Sequence, residues 1–563
     1  MLLNMPIVIV GAFFCLTLVV GIYFSKKETT FREYAVGNKQ FSTATLVATV
    51  LATTFGGGTI IRSIESIHEF GLYFIFGTSL DYFGFWIIGR LALRMGPFMQ
   101  HLSMAETIGS MYGKYPRIIA ALVGICVCIV AITGQINVIS KAFKICLISI
   151  DPFTITILST LLLIFYSSYG GVRAVTYTDV LQFITFSIII PLLSWFMFVN
   201  VGKTVSEIVP ILQSQTKFQF SNLFQFNARL VSMLLLVLGS LISHIQPSIM
   251  QRVYMSSSPI QAQKSFAYAT IFSWFIMFFI SLISVFVFAR APNLLKTEVF
   301  GYVVDHIPTL FRGFFAVGLL AMAMSTADSF LNACSVMIGH DIVNSLQKEK
   351  AIPDPGQLKI ARWTTLVVGL LAMVVSFYCQ DLLKLMYWGL DCAVPIATAP
   401  FILGIFGFRG TSRTALIGMT TGLLTILAWN KWVEPKTGID GSFIAMLANG
   451  FAMLVAHYLL RQPEGVGWVK PDTTFKQIQQ ENSRRNIERK ETIKKGWQNK
   501  KFTFSKLVPS PTAMVCMGFY FFISSLLAHF ILIFTNHCYW LIFHLFGSAC
   551  CLGYPFYMIF LKG

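Results

Sequence analysis

Charge is what this 563-residue chain lacks most: Asp, Glu, Lys and Arg make up 12% of it against 55% apolar residues, where soluble globular domains carry about 25% charged residues. So little charge cannot solvate the surface of an ordinary soluble enzyme, and that class is excluded. Catalytic signatures are missing too. There is no GxSxG elbow, no HExxH and no phosphate-binding glycine loop, so no enzyme is expected. The eleven cysteines form neither CxxC nor CxxC…HxxxH spacings, which leaves no zinc site or disulfide framework and makes them small buried hydrophobes. No ring of charged residues or filter-like loop suggests a channel. No positive charge precedes the apolar run Met1 to Phe24 and no small-residue cleavage site follows it, which predicts a retained helix rather than a signal peptide.

What the chain has is apolar length. Stretches between loop signals predict spans near 5–24, 41–67, 71–95, 116–141, 152–169, 175–200, 228–254, 265–289, 312–342, 362–384, 385–408, 413–432 and 440–460, with two more at 511–535 and 538–561. The formal net charge of +18 follows topology rather than nucleic acid. Residues 461–507 alone hold 12 Lys/Arg and 5 Asp/Glu, seven of those net charges. Lys26, Lys27, Arg32, Lys39, Arg94, Lys114, Arg117, Arg173, Arg252, Lys264, Lys348, Lys350, Lys359, Arg362, Arg409 and Arg413 fall in alternate loops, and Lys203, Lys217, Lys296 and Lys436 are the sparser set in the others. The positive-inside bias then puts the N-terminus outside and the C-terminal region in the cytoplasm of an integral plasma (inner) membrane protein. Three parts are expected: a core over 1–460, a basic cytoplasmic linker over 461–510, and two additional transmembrane helices over 511–563.

Two spans carry interruptions that a plain membrane helix avoids. The second contains Ala52-Thr53-Thr54-Phe55-Gly56-Gly57-Gly58-Thr59, three consecutive glycines at mid-membrane, each costing about 1 kcal/mol of helix propensity relative to alanine. The seventh contains Gln246-Pro247, where proline removes a backbone donor. Taken alone, Gly56 to Gly58 is equally well a mere packing notch, and Pro247 equally well a simple kink. Backbone groups freed at that depth need protein or a lined cavity around them, and two breaks five spans apart match inverted repeats whose first helices break around a midplane site. In the ninth span the adjacent hydroxyls of Ser325 and Thr326, with Asp328 beyond, offer oxygen ligands of the kind a small hard cation takes. The alternative is that both hydroxyls bond back to their own helix.

The hydroxyl pair, the glycine break and YSSYGGVRAVTYTDVLQF at 166–183 together resemble the sodium/solute symporter family, over about residues 5 to 460. The resemblance implies an all-α polytopic membrane protein with a LeuT-like 5+5 inverted-repeat core in helices 2–11, about 13 core helices plus the two C-terminal ones. It implies sodium as coupling ion and no other cofactor, a small organic solute as partner, and uptake by alternating access. By that likeness Ala52, Phe55 and Met322 offer backbone carbonyls to sodium, and Ser325 and Thr326 their hydroxyls. Asp179 matches an acidic position that is similar to part of a second sodium site or exit route, with end capping or pairing to Arg173 as the equal alternative.

For the solute, Thr59 falls where sugar carriers place a polar contact, while Thr78 and Met386 replace an acid and a glutamine, so a sugar site is not retained. QPSIMQR is most similar to the sodium/proline branch, yet Gly239 and Ser243 stand where that branch has aromatic residues. Arg62 lies one turn beyond Thr59, and Asp81 occupies a position that contacts solute in sugar-carrying relatives. Together they suit a zwitterion, Arg62 on its carboxylate and Asp81 on its amine, with Ser243, Gln246 and Pro247 completing the candidate solute residues. The competing assignment pairs Arg62 with Glu65 or Glu69 and satisfies Asp81 with neighbouring hydroxyls. A sodium-driven importer of an amino acid or related zwitterion or carboxylate is the expected function; a transporter-shaped receptor signalling through its C-terminal region is the alternative.

Overall fold

The computed structural model describes residues 5–25, 30–146, 151–223, 228–347, 353–379, 389, 393–460 and parts of 463–491. The expected spans at 511–535 and 538–561, the start of the one at 385–408 together with Met386, and most of the 461–510 linker lie outside the described residues. The rest is almost wholly helical. In chain order the principal helices are α1 (Met5–Phe24), α2 (Thr43–Thr54), α3 (Gly57–Phe70), α4 (Leu72–Asp81), α5 (Phe83–Ala92), α6 (Met104–Tyr112), α7 (Lys114–Cys146) and α8 (Pro152–Val201). After them come α9 (Ala228–Ser243), α10 (Pro247–Met255), α11 (Pro259–Arg290), α12 (Thr309–Val336), α13 (Asp354–Tyr378), α14 (Ser412–Trp432) and α15 (Ser442–Leu459). Eight helices among the described residues are long and apolar enough to cross a membrane, or ten when each bent pair is one span.

Local chemistry sets the boundaries. Ser42 caps α2 by accepting from the Thr45 amide, Ser103 caps α6 through Glu106, and Ser258 caps α11 through Gln261, each relieving one amide that has no partner inside the helix. The two expected spans at 152–169 and 175–200 form one hydrogen-bonded run, α8, that turns at Gly171, where φ is 48° and ψ is −166°. Only glycine adopts that conformation without strain. Past Val336 the ninth span continues as a π-helical turn over Met337–Val343.

Both expected breaks are present. α2 and α3 bend by 60° at Phe55–Gly56, and Met233–Ser243 bends by 47° against Pro247–Met255. α12 runs through the middle: 94% of its apolar window is buried, against 22% for the peripheral α1. It packs on α7, α8, α1 and α2. A helix apolar and buried all round belongs at the centre of a bundle, and the two broken spans lie beside it. On the face that carries Arg94, Lys114 and Arg409, the start of the linker returns to the core, where Phe408 and Arg409 pair antiparallel with Trp468 and Gly467.

Candidate functional site at the two helix breaks

At the first break three consecutive glycines do different work. A Cβ on Gly56 would lie 2.7 Å from the Gln135 side chain, and one on Gly57 would lie 2.4 Å from Val138 and 3.0 Å from the Leu319 carbonyl. Gly58 meets nothing closer than 3.8 Å. The first two therefore let α7 and α12 approach the interrupted backbone, and Gln135 on α7 then completes the break by accepting the Gly57 amide at 3.1 Å. The sequence offered one sign of Gln135, an amide two residues before Asn137 inside an apolar run, and intramembrane polar residues are functional candidates.

Where α2 ends against α12, the Ser325 hydroxyl donates to the Ala52 carbonyl at 2.8 Å and to the Met322 carbonyl at 3.0 Å. Thr326 reaches the carbonyls of Ala52, Thr53 and Met322 at 3.3, 3.1 and 3.0 Å. The hydroxyls thus bond both to their own helix and across to the broken one. Four of the five residues expected at an ion site, Ala52, Met322, Ser325 and Thr326, share one buried cluster of neutral oxygens. Phe55 lies at the break itself: its amide bonds the Leu51 carbonyl at 2.8 Å, and its ring stacks on Tyr82 with centroids 5.3 Å apart. Hydroxyl oxygens can turn from donating to a carbonyl to accepting a cation. Neutral carbonyl and hydroxyl oxygens are ligands of the kind a small hard cation takes.

One helical turn away lies a second, ionic cluster. Asp179 on α8 accepts from Thr49, and the Arg252 guanidinium of α10 stands 3.4 Å from the same carboxylate oxygen. Arg252 also donates to Ser329, to Thr49 at 3.2 Å and to the Ser248 carbonyl at 3.0 Å. All five residues are essentially without solvent exposure. Thr53 and Ser329, 2.9 Å apart, join the two clusters, and Gln251 carries the ladder on to Asn332 and the Ala35 carbonyl at 2.7 and 2.8 Å. Two sequence expectations are corrected. Arg252 is a buried ion-pair partner rather than a loop charge, because α10 turns back into the bundle after the second break. Arg252, not Arg173, pairs with Asp179. Asp328 turns away from this ladder toward Ser167.

The expected solute residues are only partly gathered. Thr59, Arg62, Asp81, Ser243, Gln246 and Pro247 are all half-buried. Asp81, however, is held by a residue the sequence reading passed over: His244 Nε2 lies 3.1 Å from its Oδ1. A histidine three residues before a mid-membrane proline was the available signal. The Arg62 guanidinium lies 5.9 Å over the Phe74 ring, and Lys296 meets Glu69 at 2.7 Å. The Ser243 hydroxyl bonds the Ser240 carbonyl of its own helix at 2.7 Å. Gln246 caps α10 with extended backbone, and Pro247 opens that helix, a position where its missing amide costs nothing.

At the face bearing Lys114, α6 is tied to the end of α12. Arg117 meets Asp341 at 2.8 Å, Ser103 bonds the same carboxylate at 2.6 Å, and Tyr254 meets Thr107 at 2.6 Å. Glu106 takes the Leu102 amide at 2.7 Å and lies 3.2 Å from His340. Burial opposes its charge, but the His340 contact and that amide outweigh burial and hold the carboxyl down to about 2.

The sequence profile of the sodium:solute symporter family matches residues 34–422, more than half of the chain. The chain belongs to that family. A sodium/sialic acid symporter, SiaT of Proteus mirabilis, is 23% identical over 436 residues, covering 73% of this chain and 86% of the relative. Sodium/proline symporter 2 of Staphylococcus saprophyticus is 25% identical over 299 residues, covering 50% of this chain and 56% of its own length. Among solved structures, a substrate-bound, outward-open Na+-coupled sialic acid symporter superposes with a TM-score of 0.70 at 20% identity, over 81% of this chain and 96% of that one. Mhp1, a nucleobase-cation-symport-1 family transporter, gives 0.50 at 9%, over 77% of this chain and 94% of that one. The fold is thus the LeuT-like inverted repeat in an integral membrane protein. Family membership makes the symporter a sodium-coupled secondary transporter of a small organic solute working by alternating access, not an enzyme. Its relatives include carriers of sialic acid, proline and glucose, so the likeness is not confined to the proline branch.

Proposed function

We propose that the symporter imports a small carboxylate-bearing solute, an amino acid or a related zwitterion or acid, on sodium held by the Ala52, Phe55 and Met322 carbonyls and the Ser325 and Thr326 hydroxyls. The observation that carries this reading is the convergence of those two hydroxyls on the Ala52 and Met322 carbonyls, at 2.8 to 3.3 Å, across the broken helix. Sodium bound there joins α2 to α12, and alternating access then follows from whether that joint is made. Relatives named for sialic acid and proline both carry acids, which supports the carboxylate. Thr59, Arg62, Asp81, Ser243, Gln246 and Pro247 form the solute wall in this reading.

Asp179 serves a second ion position or the ion's exit: its Oδ1 is buried without a hydrogen-bond partner among the described residues, one turn from the first cluster. The core comprises about thirteen helices over 1–460, with the basic linker at 461–510 and two further helices beyond. It sits in the plasma (inner) membrane, N-terminus outside and linker in the cytoplasm, an orientation that the distribution of Lys and Arg supports.

Sodium-dependent uptake in proteoliposomes tests the assignment. Ser325→Ala and Thr326→Ala each delete one oxygen from a site with few, a loss of about 1.5 kcal/mol or more, and each is expected to raise the half-saturating sodium concentration about tenfold. Folded variants with wild-type sodium dependence refute the ion site. Binding of solute without accumulation in the wild type refutes import and leaves a receptor.

A further inference from the structure

Past α15 the chain folds back on the core. Val469 donates its amide to the Gly407 carbonyl at 2.8 Å, beside the pairing of Phe408 and Arg409 with Trp468 and Gly467. Gly407 makes that approach possible: its φ is 106°, and a Cβ there would lie 2.6 Å from the Val469 carbonyl. Trp468 packs on Phe408 with ring centroids 5.3 Å apart and donates from Nε1 to the Tyr458 hydroxyl at 3.3 Å. The chain is then helical over 475–481. Phe475 is half-buried and Ile478, one turn on, is buried, while Lys476, Gln477, Gln479 and Gln480 are exposed. An apolar face is therefore docked and a polar one left in water.

The docked face meets the end of the third span. Arg94, two residues past α5, has its guanidinium 4.6 Å from the Phe475 ring centroid and 4.5 Å from that of Phe406. One cation between two rings thus joins the third span, the turn at 406–409 and the linker. The Arg409 guanidinium lies 5.4 Å over the Phe98 ring and adds a second hold on the same stretch. That stretch ends at Ser103, which caps α6 and bonds Asp341 at 2.6 Å. α6 is held from the same side: the Tyr112 hydroxyl reaches the Pro400 and Phe408 carbonyls at 3.0 and 3.4 Å.

The tie between α6 and the end of α12 closes this side of the molecule. Beneath the second helix break the described residues leave a cavity of about 10 Å³, lined by Met104, Ala105, Gly124, Pro247 and Met337 among others. It has room for one water at most. A solute leaving past Pro247 needs that space widened, which moves α6 and the 94–103 stretch away from α12.

We propose that residues 466–481 are a strap that holds the symporter closed on its cytoplasmic side, and that undocking at Arg94 frees α6 and lets that side open. The family match ends at residue 422, so the restraint comes from chain outside the matched core. Only the name of the side rests on the orientation proposed above. Contacts made in the closed form and broken on opening bias the balance toward closure, and their loss shifts it back.

Two measurements on the full chain in lipid nanodiscs test the strap. Neither uses sodium or solute, so failure of the import reading leaves both standing. Hydrogen–deuterium exchange with mass spectrometry is expected to find the Val469 amide exchanging at least about tenfold more slowly than an unstructured peptide of the same sequence, with that protection lost in Trp468→Ala/Phe475→Ala. An unprotected Val469 amide in the wild type overturns the docking. A cysteine introduced as Ala105→Cys and read by peptide mapping after N-ethylmaleimide reports opening. Its labelling rate is expected to rise about fivefold or more in Phe475→Ala and in Arg94→Ala, to rise no further when the two are combined, and to rise less in Arg94→Lys, which keeps a cation between the rings. Asp341→Asn, which cuts the tie to Ser103 directly, supplies the open reference. Phe475 lies outside the core, so its variant tests the strap without threatening the fold. A wild type labelled as fast as Asp341→Asn, a rate unchanged in Trp468→Ala/Phe475→Ala once exchange shows the strap undocked there, or effects of Arg94→Ala and Phe475→Ala that multiply when combined overturns the proposal.

Discussion

Alanine in place of Gly57 is a perturbation whose sign the packing decides. The new Cβ would stand 2.4 Å from Val138 Cγ1, 3.0 Å from the Leu319 carbonyl and 3.4 Å from Ala323 Cβ. Val138 can move only within a packed helix, and the Leu319 carbonyl is backbone. α3 must therefore shift against α12. Such overpacking costs about 1–3 kcal/mol, against about 1 kcal/mol gained from helix propensity. At Gly58 the nearest atom is 3.8 Å away, so only the gain applies. Gly57→Ala is expected to destabilise by up to about 2 kcal/mol, and Gly58→Ala to be neutral or stabilising by up to about 1 kcal/mol. Because the shift moves the half-helix that ends at the oxygen cluster, Gly57→Ala should also raise the sodium requirement of uptake. Adding Val138→Ala removes the worst contact and leaves the one to Leu319, which predicts a partial rescue with a coupling of about 1 kcal/mol. Thermal unfolding followed by size-exclusion fluorescence, together with sodium titrations of uptake, reads both effects. Gly58→Ala as damaging as Gly57→Ala, or strictly additive effects of Gly57→Ala and Val138→Ala, would refute the reasoning.

Arg252→Met strands a buried Asp179 carboxylate, which is expected to cost about 3–5 kcal/mol; folded yield should recover in Asp179→Asn/Arg252→Met, and a double variant no better folded than the single one counts against the pair. Glu106, held down to about 2 from an ordinary 4.5, contributes stability that is full above pH 4.5 and lost as pH falls toward 2. Unfolding temperature should accordingly drop over that window in the wild type and drop less in Glu106→Gln; equal losses would show that His340 and the Leu102 amide do not hold the charge. Cysteines placed at 470–490 should react with an impermeant reagent only from the cytoplasmic side, and labelling from outside would reverse the orientation.

Several features were legible before any coordinates because each is local. Apolar length marked the spans, Gly56–Gly58 and Gln246-Pro247 marked the breaks, and Ser325-Thr326 stood out as adjacent hydroxyls in an apolar helix. Backbone propensity and the cost of a polar atom in lipid act within a turn or two of chain, so composition reports them. The pairings were not legible, because partners far apart in sequence meet only through packing. Arg252 looked like one more loop charge until the 47° bend at the second break turned α10 into the bundle beside Asp179. Asp81 and Arg62 looked like a ready zwitterion clamp, and only packing shows that the slot at Gly84 admits His244 to Asp81 and that Lys296 meets Glu69. Gln135 reaches the break only because Gly56 and Gly57 have no side chains to hold α7 off. Sequence by itself determined where the helices run, where they break and which oxygens are available. Tertiary structure decided which charges neutralise which, since a buried ion is satisfied by whatever partner the fold brings within about 4 Å, and one sequence pattern is compatible with several such partners.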